Sequence, residues 1–167
     1  MEPDLEGLRI RSSVRAVVLD PADRVLLVRF EFPDVTLWAT PGGGREPGED
    51  DEDTLRRELL EELGHAPVEI GPLVWTRLHV IPFIDGSWDG QRDHVYLVRS
   101  AAFDPQPSLT WEQLRAERVH ELRWWTPEDL LAAATAEDVV FAPRELPQLV
   151  AALVTNGPPD APFEVGV

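Results

Sequence analysis

Glu58, Glu61 and Glu62 stand at i, i+3 and i+4, a spacing that gathers three carboxylates within an arc of about 100° on a helix. Like charges so placed cost helix stability unless a cation joins them. A hard divalent ion, Mg2+ or Mn2+, served by carboxylates and water, is the natural partner. The competing account is a solvated face. Residues 46–62 hold nine acidic and two basic residues, and so supply seven of the sixteen net negative charges of the chain; such runs commonly do no more than keep a surface soluble. A helix built only for solubility would pair its acids with bases at i+4, and these three carboxylates have no such partner among themselves. Arg57 is expected to point to a different side. There it clamps Glu49 or neighbouring loop carbonyls and orients the turn, with direct phosphate contact as the alternative role and a plain surface residue as the bland one. Glu49 either folds back to the cluster or holds Arg57.

The helix that must carry these groups is marked at both ends. Asp50 can cap it with Asp53 three residues on, the first turn is acidic, and Gly64 terminates it. Leu55, Leu59 and Leu63 form its apolar stripe, about a quarter-turn from the glutamates. Ahead of it, residues 12–19 and 24–29 read as strands joined by the turn Asp20-Pro21-Ala22-Asp23, and residues 36–39 as a short extended piece. Pro41-Gly42-Gly43-Gly44 reads as a turn or a close backbone approach, not part of an element. Strand-like runs follow at 68–70, 73–80, 94–99 and 121–125, with an exposed hairpin loop at 85–90. Residues 111–114 are one helical turn or loop. Thr126-Pro127-Glu128-Asp129 starts a helix, and a last one spans 144–154.

The predicted fold class is α/β, a mixed β-sheet sandwiched between helices. A chain of 167 residues with 43% apolar composition suits one domain over residues 11–155, between a loose arm at 1–10 and a mobile tail at 156–167. A formal charge of −16 repels nucleic-acid backbones and anionic membranes, so no duplex nucleic acid and no membrane is expected as a partner. Small phosphorylated substrates remain compatible, because a bound cation reverses the local field. The absence of cysteine removes disulfides, thiolate nucleophiles and cysteine-ligated zinc. With no basic-then-apolar leader and no stretch long enough to span a bilayer, a cytoplasmic location is the expectation.

Gly43, five residues, Glu49, seven residues, then Arg57-Glu58-Leu59-Leu60-Glu61-Glu62-Leu63-Gly64 resembles the signature of the Nudix hydrolase family, also called MutT-like. Eight specified positions fall in register over twenty-two residues. Trp38 before Pro41-Gly42-Gly43, and Glu121-x-x-Trp124 ahead of a Pro-Glu-Asp-Leu helix start, extend the likeness over residues 12–154. Two positions depart from the pattern. His65 fills a slot usually apolar, at the helix exit where a cation-capable ring suits the dipole, and Leu55 replaces a small residue.

The resemblance implies a Nudix-like fold. It also implies Mg2+- or Mn2+-dependent hydrolysis of the phosphoanhydride bond of a nucleoside di- or triphosphate derivative by metal-activated water. Carried over residue by residue, it assigns metal ligation to Glu58 and Glu62, makes Glu61 a further ligand or the group that orients water, and gives Gly43 a backbone carbonyl toward the ion. Arg57, Glu61 and Glu62 are thus the catalytic set from the helix, and one crowded carboxylate can hold a raised pKa and act as base. A base from a loop is the alternative, with Glu121 preferred over Glu117, Glu112 and Asp93 because it precedes the Trp124 strand. Its bland reading is a surface acid.

Arg29, Trp38, Arg77, Trp88 and Arg92 are the candidate substrate contacts, as stacking surfaces or cationic partners, each weighed against an ordinary core or surface role. Trp88 draws most interest, in its glycine-flanked loop. A homodimer fits the family, with Trp111, Trp124 and Trp125 as interface or core. The rival from another class is a catalytically inactive Nudix-like nucleotide-binding or regulatory module. Retention of Glu49, Glu58, Glu61 and Glu62 favours the enzyme.

Overall fold

Asp20 makes the first turn. Its Oδ1 accepts the N–H groups of Ala22 and Arg24 at 2.9 and 2.8 Å, and Asp23 takes a positive φ of 62°, which a short polar side chain tolerates. Strands β1 (Ile10–Leu19) and β2 (Val25–Glu31) leave this turn antiparallel, pairing at Leu19 and Val25, and then diverge. This is a computed structural model that describes residues 5–67, 69–136 and 138–167.

The divergence builds the fold. β1 takes β6 (Gly90–Arg99) as a parallel partner along its whole length and β4 (Gly42–Gly44) as an antiparallel one. β2 takes β3 (Thr36–Ala39) and β7 (Val119–Trp125). With β5 (Leu73–His79), β8 (Phe141–Ala142) and β9 (Phe163–Val165), the sheet runs β8-β3-β2-β1-β6-β5-β9, with β4 on β1 and β7 on β2. It is a mixed sheet curved into a partial barrel.

Helices cover both faces. Leu55, Leu59 and Leu63 of α1 (Asp51–Leu63) pack on Val14, Ala16 and Val18 of β1 with Leu26 and Val98. The alternate β1 residues Val17 and Leu19 face the other core, with Leu130 of α3 (Pro127–Ala133) and Leu146, Val150 and Leu153 of α4 (Leu146–Asn156). Two covered faces explain why the end of β1, residues 16–19, reads as a continuous apolar run. All three α1 leucines are fully buried, each contributing about 1.5–3 kcal/mol, so the leucine stripe fixes the rotation of the helix and with it the direction of the glutamates. A third core sits under α2 (Trp111–Ala116), where Leu114 meets Val28 and Val119.

Several expectations are corrected. The glycine triplet forms β4 and lies inside the sheet: Val14 pairs with Gly43 and Arg15 with Gly42. A Cβ on Gly42, whose φ is 141°, would run into the Val14 carbonyl, so only bare backbone fits there. Glu69 and Ile70 belong to no strand, and Val68 lies outside the described residues. Residues 111–116 are a true helix with a Thr110–Gln113 capping box. The segment read as a mobile tail carries β9, which pairs in parallel with β5 and buries Val165. Arg9, in the segment read as a loose arm, is bonded to Asp89. Trp124 and Trp125 are core residues, while Trp111 stays 41% exposed. Among the described residues no helix is long and apolar enough to cross a membrane.

Candidate functional site

α1 starts and stops as its sequence requires. Asp50 and Asp53 exchange the two hydrogen bonds of a capping box, and Gly64 closes the helix at φ 68°. Between these ends the leucines turn inward, and Glu58 and Glu62, one turn apart, are carried to the edge of the sheet beside β4. Glu58 is 7% and Glu62 2% exposed. Glu61 lies further out, at 27%.

β4 supplies the opposite wall. A side chain at Gly43 would place its Cβ 2.5 Å from the Glu58 carboxyl carbon, so the backbone of residue 43 rests directly on that carboxylate. Beyond them opens a cleft of about 340 Å3, wide enough for a small phosphorylated ligand. Arg11 and Arg15 from β1 line one side, Glu117 another, and Phe83, Asp85 and Trp88 from the β5–β6 loop form the rim.

Burial, the Glu58 charge and a hydrogen bond to Glu58 raise the pKa of Glu62 well above the ordinary carboxylate range. Its Oε2 is buried without a hydrogen-bond partner, a costly condition for an acceptor that is mostly ionised in water. Burial first, then Glu58, also raises Glu61. Glu117, the residue after α2, is pushed up by burial, Glu58 and Glu61.

Arg57 reaches both ways. Its Nε and Nη2 donate to the two Glu49 oxygens at 2.8 and 2.9 Å, and Nη2 also to the Gly44 carbonyl at 3.0 Å. This is the clamp anticipated from spacing. Arg57 does not point away from the glutamates, however: Nη1 lies 2.9 Å from Glu58 Oε1 and 3.4 Å from Glu61 Oε2. Its pKa is raised, chiefly by the Glu49 bond. Glu49 holds Arg57 and does not fold back to the cluster.

The orphaned Glu62 oxygen, the crowding of Glu58 on Glu62 and the bare Gly43 backbone together suit a hard cation. Among the described residues no group of three or more His, Asp or Glu side chains is arranged to hold a metal alone.

Other candidates lie outside the cleft or at its margin. Glu121 sits on β7 opposite Arg29, whose Nε is 3.0 Å from Glu121 Oε2, an ion pair without hydrogen-bond alignment since the same nitrogen has no bonded partner. Arg29 also bonds Glu31 at 2.6 Å. Neither residue lines the cleft. Trp38 packs edge-on against Trp125, centroids 5.1 Å apart, as a core residue. Arg77 is spent on Asp93 at 3.5 Å and the Gly166 carbonyl at 3.2 Å, and Arg92 sits in β6 between Ser12 and Leu78. Of the five candidate substrate contacts only Trp88 lines the cleft. His65 stacks on Phe103 at 4.3 Å, and burial lowers its pKa, so its place at the helix exit is one of packing.

Sequence reasoning missed Arg11 and Arg15. Their signal was two charges four residues apart, and so on one face, in a strand that becomes continuously apolar only after Arg15. Arg15 is positioned by the buried Asp93 at 3.3 Å and the Thr40 carbonyl at 2.8 Å. Burial opposes the Asp93 charge, but Arg15 and Arg77 hold its pKa below the ordinary value. Beside a smaller cavity of about 220 Å3 near the start of α1, Asp51 is already partnered: Tyr96 Oη donates to its Oδ2 at 2.6 Å, and His94 Nδ1 lies 2.8 Å from the same oxygen.

Residues 9–144 match the NUDIX domain model. The chain is 38% identical over 96 residues to the nucleoside triphosphatase NudI of Escherichia coli, covering 56% of this chain and 64%, less than two thirds, of that protein's length. It is 28% identical over 137 residues to an RNA pyrophosphohydrolase of Dinoroseobacter shibae, covering 77% of this chain and 84% of that one. The solution structure of the Escherichia coli ORF135 protein superposes with a TM-score of 0.64 at 24% identity, covering 95% of this chain and all of that one, a likeness of fold.

Proposed function

Because this chain belongs to the Nudix hydrolase superfamily, whose members generally act on nucleotide phosphoanhydrides, we propose that its cleft hydrolyses the phosphoanhydride bond of a nucleoside di- or triphosphate derivative. One observation carries this reading: a buried pair of glutamates, with one oxygen unpartnered, faces a cleft that also presents two arginines. Carboxylates alone would repel a diphosphate, and arginines alone would bind it without activating water. Both together suit a polyanion whose approach is balanced by a cation.

Glu58 and Glu62, with the Gly43 carbonyl, are the groups that would hold Mg2+ or Mn2+. When bound, such an ion offsets the charge on the diphosphate oxygens and acidifies a water. Arg57 locks Glu49 to the Gly44 carbonyl, and so sets the distance between helix and β4. Arg15, braced by Asp93, offers the phosphates its donors. Glu117, with its raised pKa and its place in the cleft, replaces Glu121 as the loop acid that takes the proton from the attacking water, and Glu61 is the alternative from the helix. The net charge of −16 favours a small nucleotide over the RNA named for one of the similar proteins.

The test is release of phosphate or pyrophosphate from canonical and oxidised nucleoside triphosphates, nucleotide-sugars and ADP-ribose, with Mg2+ or Mn2+ and an EDTA control. Metal-dependent turnover of at least one class supports the reading. Turnover that survives EDTA, or a blank panel alongside unchanged nucleotide binding, overturns it in favour of a binding module.

A further inference from the structure

The rim of the cleft opposite the glutamates is a built surface. Arg9 fastens the β5–β6 loop: its backbone N and side-chain Nε donate to Asp89 Oδ2 at 2.8 and 3.1 Å, and Nη2 to Asp89 Oδ1 at 3.1 Å and the Gly86 carbonyl at 3.0 Å. Within the loop, Phe83 N donates to the Trp88 carbonyl at 2.9 Å and Gly86 N to the Phe83 carbonyl at 3.0 Å. These bonds hold two aromatic side chains at the mouth of the cleft, Phe83 and the 37% exposed Trp88. Asp85 stands between them in sequence and lines the same cleft. Ser87 N and Oγ both donate to Asp85 Oδ1, at 3.0 and 2.6 Å, which fixes the carboxylate in place and leaves it capacity to accept further hydrogen bonds. Arg11 lies over the Phe83 ring, 5.7 Å from its centroid, and a side chain at Gly44 would collide with its guanidinium.

A half-buried Phe83 and an exposed Trp88 lining the same cleft are suited to stacking a nucleobase, a contact that tolerates any base. The polar groups next to it do not. Asp85 is held below the usual carboxylate range, first by its Ser87 hydrogen bonds, so it faces a ligand as an acceptor only. On its Watson–Crick edge adenine offers one amine beside a ring acceptor. Cytosine offers one amine beside two acceptors, and uracil or thymine a single N–H between two carbonyls. Guanine alone offers two adjacent donors, N1–H and N2–H2, and its O6 and N7 are the acceptors an arginine recognises.

We propose that the β5–β6 loop is a base-recognition subsite that selects guanine nucleotides, with Phe83 and Trp88 stacking the base, Asp85 accepting from N1–H and N2–H2, and Arg11 donating to O6 or N7. The proposal rests on reading the cleft as a nucleotide phosphoanhydride site, and the experiment separates the two. Binding of GMP, AMP, CMP and UMP, which have no anhydride to cut, is measured by calorimetry on the full chain with Mg2+. In parallel, kcat/KM is measured for the four nucleoside triphosphates.

GMP is expected to bind at least tenfold tighter than the others, and kcat/KM for GTP to exceed that for ATP by a similar factor. In Asp85→Asn the guanine-to-adenine ratio should fall toward one in both assays, and Trp88→Ala should raise KM for all four triphosphates severalfold with a much smaller change in kcat. Guanine-selective binding without hydrolysis would leave the base subsite standing while the hydrolase reading falls. Hydrolysis with adenine or a pyrimidine preferred, or an unchanged ratio in a folded Asp85→Asn, would overturn the subsite and leave the hydrolase. Absence of binding to all four monophosphates overturns the subsite as well.

Discussion

The backbone of Gly43 lies against the carboxylate of Glu58, so close that a methyl group on residue 43 would stand 2.5 Å from the Glu58 carboxyl carbon. The glycine does more than fit a strand. It lets β4 pair with Val14 of β1 while its backbone forms one wall of the carboxylate site. Gly43→Ala is therefore expected to displace Glu58 and to cut metal-dependent turnover by about a hundredfold, the scale on which misplacement of a catalytic group by an ångström acts. The variant should stay folded, because the collision falls on a side chain at the cleft edge. Circular dichroism together with kcat checks both halves. Full activity in Gly43→Ala would show that this contact does not set the site.

Glu62 separates the needs of folding from those of function. Its carboxyl is 2% exposed, with Oε2 unpartnered, so for folding alone an amide of the same shape should serve as well or better. Glu62→Gln is expected to abolish metal-dependent turnover while leaving the Tm in EDTA unchanged or raised. Addition of Mg2+ or Mn2+ should raise the Tm of the parent and not of the variant, since ligand binding stabilises only the state that binds. A metal-induced shift of equal size in both would remove Glu62 from the ligand set.

How much of this was legible in sequence depended on how local the signal was. The helix at 51–63, its caps and its leucine stripe follow from periodicity and side-chain chemistry within a few residues, and they stand as read. β4 was not legible because three glycines lack β propensity, and their pairing with β1 is set by a close approach that only the absent side chains allow. β9 has three residues and depends on β5, nearly ninety residues away in the chain; local pattern carries nothing of such a contact. The same reason separates the two candidate loop acids. Glu121 and Glu117 are equivalent in type and both close to β7, and only the β2–β7 register shows that Glu121 faces Arg29 while Glu117 turns to the cleft.

That difference is testable. Burial, Glu58 and Glu61 all disfavour the charged form of Glu117, which makes its carboxylate a stronger proton acceptor than an ordinary surface glutamate. Glu117→Gln is expected to lower kcat by about 10²–10⁴-fold with metal binding retained, measured as the metal-induced rise in Tm. Glu121→Gln removes a half-exposed ion pair and should leave kcat within about twofold and stability within about 1 kcal/mol. A large loss in Glu121→Gln with none in Glu117→Gln would reverse the assignment.

Glu49 gives a prediction in pH. It accepts from Arg57 Nε and Nη2, from Glu46 N at 2.8 Å and from Thr54 Oγ at 3.1 Å, and these bonds, Arg57 first, lower its pKa from 4.5 to about 2. The unfolded chain therefore takes up a proton near 4.5 that the folded protein refuses until about pH 2. This contribution is fully present above the unfolded value and is lost as pH falls through that window, because the unfolded state binds more protons there. In Glu49→Gln the loss is built in at every pH. The Tm of the variant at pH 7 should lie below that of the parent by about 4–8 °C, corresponding to about 2 kcal/mol for a charge-assisted pair in a domain of this size. The gap should narrow as both are acidified, with Arg57 released from its partner in the parent as well. Thermal melts of both proteins between pH 7 and pH 2 check this directly. Parallel curves, with a constant gap down to the acid end, would mean that the Arg57 clamp does not hold the Glu49 proton off and that the stability of the loop comes from Thr54 and the backbone alone.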